Sequence, residues 1–190
     1  MFADRDDYLA YAGTPFETGT TGTVGIYDAV VRQLLIWNQI DEERTKSTIR
    51  HEGFHQYLDS WLEDPPVWLN EGLAEYVEAS FVTKRDFVPG TLQHEHVARL
   101  AGGRALEPLS DFLHLPQKEF MRRGLDAYAQ AWAFVHFLLH APGQRLRFNE
   151  TLALLESGAT SEDVLRRLFD PASVERLERD FRIWVRTLGK

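Results

Sequence analysis

Cysteine is absent from the 190 residues, so disulfides and thiolate metal sites are excluded, and any zinc must be held by His, Asp and Glu. Positive charge is in short supply: 21 Lys and Arg stand against 29 Asp and Glu, a formal net charge of -8. No basic field is available to attract phosphate backbones, and nucleic-acid binding is not expected. No apolar run approaches the roughly 20 residues that span a bilayer. Met1 to Gly13 also lacks the basic start and apolar stretch of a secretory leader. The expectation is a chain without a membrane segment, cytoplasmic by default, or secreted or periplasmic if it was cut from a longer precursor. No internal repeat or low-complexity tract occurs, and neither a G-x-S-x-G elbow nor a G-x-x-x-x-G-K phosphate loop is found.

What is present fits a globular protein. Hydrophobic residues make up 44% and aromatics 12%, enough for a continuous core. Asp4 to Ala12 reads as a short helix stopped by Gly13, and Thr14 to Gly22 as a Thr/Gly loop. Two β-rich runs, Thr23 to Tyr27 and Val30 to Trp37, flank Asp28-Ala29 and suggest an antiparallel hairpin. Ile49, Phe54, Tyr57, Leu58 and Trp61 recur at helical spacing, which predicts one helix over Glu42 to Leu62 stopped by Pro65-Pro66. A second helix follows over Val67 to Ala79. Phe81 to Pro89 fits either a hairpin or a loop. Beyond Leu92 the pattern is helical, broken at Gly102-Gly103, Pro108, Pro116, Pro142-Gly143, Gly158 and Pro171. This predicts a single α+β domain over residues 1–190, with a small antiparallel sheet and the chemistry-bearing helices in 1–90 and a helical lobe in 91–190.

His51-Glu52-Gly53-Phe54-His55 is an H-E-x-x-H sequence inside the first long helix. At about 100° per residue the two imidazoles fall within about 40° of each other, so one metal ion can touch both. Burying the flank that carries Phe54, Tyr57 and Trp61 would turn the ligands toward a cleft. Zinc in such sites takes three protein ligands and keeps a place for a water whose pKa it lowers. The third ligand is expected from Trp68-Leu69-Asn70-Glu71-Gly72-Leu73-Ala74-Glu75-Tyr76-Val77-Glu78. On a helical wheel Glu75 lies about 40° to one side of Glu71 and Glu78 about 20° to the other. Three carboxylates on one face repel unless something positive lies opposite. Glu71 is then the metal ligand, and Glu75 or Glu78 accepts the outer N–H of a ligand histidine. The blander alternatives are a solvated acidic face for Glu75 and Glu78 and an ordinary half-buried pair for His51 and His55. Manganese or cobalt in place of zinc is open on ligand type alone.

HEGFH followed by WLNEGLAEYVE resembles the gluzincin metallopeptidases. The second string is similar to the glutamate-ligand motif of the aminopeptidase N family, and Gly25 to Asp28 with the small size looks most like the peptidase MA-like family. The resemblance spans about Gly22 to Leu139. It implies a zincin-like fold in which a Zn2+ ion is held by His51, His55 and Glu71, and a metal-activated water hydrolyses peptide bonds with Glu52 as general base. Fifteen residues separate His55 from Glu71, a little fewer than is usual in aminopeptidase N. Tyr128-Ala129-Gln130-Ala131-Trp132-Ala133 is similar to the segment carrying that family's oxyanion-stabilising tyrosine, which makes Tyr128 the candidate donor; the alternative is a core tyrosine. The amine-binding Gly-x-Met-Glu-Asn strand of those exopeptidases is not matched in Thr23 to Asn38. An endo- or oligopeptidase is therefore expected, with an extended peptide or protein substrate pairing with the edge around Val30 to Trp37. A catalytically silent zincin-like scaffold that grips a partner protein is the alternative.

Other polar residues have simpler readings. His136 and His140 sit four apart on an almost wholly apolar helix and are expected to be packed histidines. His94-Glu95-His96, near a helix start, is expected to be exposed. Asp111, Asp126 and Asp163 look like caps or first-turn acids.

Overall fold

The computed structural model describes residues 1–12, 24–101 and 105–189, so Gly13, the Thr14 to Gly22 loop, Thr23 and the Gly102-Gly103 break fall outside the described residues. The chain divides into two units, Met1–Ser60 and Trp61–Lys190.

In the first unit, the Asp4 carboxylate accepts the Asp7 N–H at 2.9 Å and starts helix α1 (Arg5–Ala12). Strands β1 (Gly25–Asp28) and β2 (Gln33–Ile36) pair antiparallel, with Gly25 opposite Ile36 and Asp28 opposite Gln33. The hairpin is the expected one, but its turn is longer than Asp28-Ala29. The Asp28 carboxylate accepts the N–H groups of Val30 and Val31 at 2.8 and 2.9 Å, and Arg32 adopts a φ of 52°. This side-chain turn competes with strand pairing and takes Val30 to Arg32 out of the ladder. Tyr8, Ala12 and Leu35 form a small core, packed by Phe2, Leu9, Ile26 and Trp37.

Helix α2 (Glu42–Asp59) is capped by the Asp41 carboxylate, which accepts the N–H groups of Glu43 and Arg44. It ends before Leu62 because the Ser60 N–H and hydroxyl both turn back to the Tyr57 carbonyl, at 3.1 and 2.6 Å. The expected apolar flank is not buried as such: Leu58 is, but Ile49 and Tyr57 are exposed and Phe54 and Trp61 half-buried. Thr45 and Thr48 are the helix's other buried residues. Small side chains suit this face, because β1 approaches it at a glycine. A Cβ on Gly25 would lie 2.6 Å from Thr48 Cγ2 and 3.0 Å from Glu52 Cγ.

In the second unit, α3 (Val67–Glu78) follows Pro65-Pro66 and is buried on nearly every side, by Trp68, Leu69, Leu73, Ala74 and Tyr76 among others. The reason is α7 (Leu125–His140), which runs against it as close as backbone contact allows. A Cβ on Gly72 would stand 2.5 Å from the Ala131 carbonyl oxygen. Trp68 then meets Phe134 edge-on, ring centroids 5.1 Å apart. Phe81 to Pro89 resolves as a hairpin, β3 (Phe81–Val82) with β4 (Phe87–Val88). The remaining helices are α4 (His94–Leu100), α5 (Leu109–Phe112), α6 (Gln117–Arg123), α8 (Arg145–Glu156), α9 (Ser161–Leu168) and α10 (Pro171–Val185). Pro108 and Pro116 sit just before α5 and α6, and Pro171 opens α10, where a missing N–H costs nothing. Asp163 closes a capping box with Thr160, and Asp111 and Asp126 lie in first turns, as expected. The architecture is mixed and helix-rich with small two-stranded antiparallel sheets, consistent with α+β. No described helix is long and apolar enough to cross a membrane.

Candidate metal centre

One helical turn brings the imidazoles of His51 and His55 together on α2, their ring centroids 4.8 Å apart and inclined at 75°. Both are half-buried. Between them in sequence, Glu52 is fixed by the hairpin: its Oε2 accepts the backbone N–H of Tyr27 at 2.8 Å. Tyr27 in turn is braced against α2, its hydroxyl donating to Asp59 at 2.7 Å with Arg32 3.4 Å from the same carboxylate oxygen. Burial, reinforced by the hydrogen bond to Asp59, raises the Tyr27 phenol above its usual pKa, so it stays a proton donor.

On α3 the solvated-face alternative, raised for Glu75 and Glu78, fails for Glu75. Glu71 is 5% and Glu75 9% exposed, and Glu78 is half-buried. Buried carboxylates require compensating partners. The ligand atoms of His51, His55 and Glu71 lie within 4.8 Å of one another, and so do those of His51, Glu75 and Glu78. These side chains are close enough to bind a metal ion. Imidazole nitrogen and carboxylate oxygen are donors that fit zinc, and the chain has no thiolate to compete with them.

The family described as "Protein of unknown function (DUF1570)" matches residues 45–163. The chain belongs to this family. No curated protein matches it. The DUF1570 match takes in α2 from Thr45 onward and runs into α9, so His51, His55, Glu71, Glu75 and Glu78 all lie inside it.

Of the other residues singled out in this DUF1570 chain, Tyr128 is half-buried, donates its hydroxyl to Met121 Sδ at 3.2 Å and meets Phe120 edge-on at 5.2 Å. His136 is packed as expected, whereas His140 is exposed, contrary to expectation, because it lies at the end of α7; their ring centroids are 4.4 Å apart. His140 Nε2 lies 2.8 Å from the Tyr76 hydroxyl, while His136 stands between Trp132 and Trp184 at 5.4 and 5.7 Å. Burial, and then the proximity of His140, push the His136 pKa down to about 4. Burial and then Arg145 lower His140 as well. His96 is a correction. Expected to be exposed, it is 7% exposed, and its Nε2 lies 2.7 Å from Glu75 Oε2. Its neighbours His94 and Glu95 are exposed as read. The one local signal for His96 is the Gln93-to-His96 spacing, which puts two donors on one face of the first turn of α4.

Proposed function

We propose that the chain is a zinc-dependent metallopeptidase domain of gluzincin type, similar to the peptidase MA-like family, acting as an endo- or oligopeptidase. The observation that carries this reading is the proximity of His51, His55 and Glu71, with Glu52 held beside them by β1. His51, His55 and Glu71 would hold the ion. When bound, zinc supplies Lewis acidity and lowers the pKa of a water toward neutrality. Glu52 accepts a proton and returns it to the leaving nitrogen. With Oε2 engaged by the Tyr27 N–H, the other carboxylate oxygen is the one assigned to that task. Glu75 or Glu78 would accept the outer N–H of a ligand histidine, fixing its tautomer. Tyr128 steadies the developing oxyanion. The edge around Val30 to Trp37 is only partly open to an extended peptide, because Phe2 already pairs there, its N–H to the Ile36 carbonyl at 2.8 Å and its carbonyl to the Asn38 N–H at 2.9 Å.

A broad fluorogenic peptide library, assayed with and without a chelator, tests the proposal. Cleavage that chelation abolishes and zinc restores is expected. Zinc binding without cleavage of any peptide would replace the enzyme by the protein-binding scaffold.

A further inference from the structure

Glu75 is gripped from one side by a structure that the metal site itself does not explain. The first turn of α4 presents Gln93 and His96 three residues apart, hence on one helical face. His96 Nε2 meets Glu75 Oε2 at 2.7 Å, and Gln93 Nε2 lies 3.2 Å from the same oxygen and 2.7 Å from the Glu75 carbonyl. In the tautomer that carries its proton on Nε2, His96 donates to this oxygen. The ring is held by burial and by Trp132, its centroid 5.5 Å away. The same stretch of chain also caps α3, because Thr91 donates its hydroxyl to the Ala79 carbonyl. Two donors converging on one oxygen fix the carboxylate's rotamer. The ligand-atom group that contains Glu75 also contains His51.

We infer that His96 and Gln93 are positioning residues for the metal centre: they lock the Glu75 carboxylate in one orientation for its role beside a ligand imidazole, and so tighten metal binding without touching the ion. This rests on the metallopeptidase reading only through the assignment of His51 as ligand. A carboxylate that orients a ligand imidazole acts on affinity through the imidazole's direction and basicity, and loss of such partners lowers affinity about 10- to 100-fold. His96 stands one bond further out, so the lower end of that range applies.

The test is zinc affinity of the full chain by competition with a chromophoric chelator, read beside the melting temperature of the metal-free protein. His96→Leu should weaken zinc binding about tenfold. His96→Gln, which keeps an N–H near the position of Nε2, should restore affinity to within about threefold of the parent. In a Glu75→Gln background the His96→Leu change should have no further effect on affinity, since its route is gone. A merely structural histidine would lower the metal-free melting temperature in all backgrounds and leave affinity alone. Gln93→Leu, at a half-buried position, gives the same reading should His96→Leu fail to fold. Parent-like zinc affinity in the folded leucine variants overturns the inference. If His51→Ala abolishes zinc binding in that same experiment, the metal centre stands and only the positioning role falls. If the parent binds no zinc, both fall.

Discussion

In the proposed mechanism Glu52 has to be both fixed and reactive, and the hairpin supplies the fixing. Its Oε2 is held by a backbone amide that only proline would remove, that of Tyr27. Glu52→Gln retains an oxygen for that amide and leaves the neighbouring imidazoles in place. It should therefore keep zinc at the parent's stoichiometry while kcat falls by about 10²- to 10⁴-fold, the usual worth of a general base. Metal content and kcat measured on one preparation decide this, and cleavage at the parent's rate would remove Glu52 from the mechanism. Gly25 is the second residue on which this geometry depends. Gly25→Ala sets a methyl 2.6 Å from Thr48 Cγ2 and 3.0 Å from Glu52 Cγ, so strand and helix must part or Glu52 must move. A loss of about 1–3 kcal/mol in chemical denaturation is expected from such overpacking. Activity should drop further than stability explains, with zinc retained.

At the scale of elements, α3 and α7 carry the second unit. Gly72→Ala drives a methyl to 2.5 Å from the Ala131 carbonyl oxygen, a backbone atom that cannot swing aside. About 1–3 kcal/mol of destabilisation is expected, read by urea unfolding. The packed histidine of α7 gives a pH signature. His136 has a folded-state pKa near 4, below the ordinary value of 6.5, so its protonation opposes folding. The stability it allows is complete above about pH 6.5 and is lost as pH falls toward 4. The melting temperature of metal-free protein should decline across that window, and less steeply in His136→Phe. The two chemistry-bearing helices were legible because their signals are local: apolar spacing, Pro65-Pro66, and an H-E-x-x-H run confined to about one turn. The turn after Asp28 was not, since the side chain of Asp28 rather than the strand pattern decides where β1 stops. Nor was the end of α2, where Ser60 competes for the Tyr57 carbonyl. His96 was misread because its burial comes from Trp132 and Glu75, residues 36 and 21 positions away, which no window around His94-Glu95-His96 contains.

For the molecule as a whole, the helix-rich α+β composition followed from periodicity and punctuation, but the partition at Ser60 and Trp61 falls in a stretch that reads as the end of a helix. That Glu71 and Glu75 are buried rather than solvated was legible only as a choice, because a wheel shows which acids share a face and not what covers it. The DUF1570 family match adds membership without an activity, so the hydrolytic reading depends on the three ligand side chains. Metal should also be a folding ligand: saturating zinc raises the melting temperature and a chelator reverses the rise, as for any ligand that binds the native state preferentially. The most direct test is elemental analysis of the zinc-reconstituted, desalted protein beside Glu71→Gln. The account predicts near one zinc per chain in the parent and a large loss in the variant, with both folded. A folded parent without zinc, or a variant that loads zinc as fully and tightly as the parent, would contradict it.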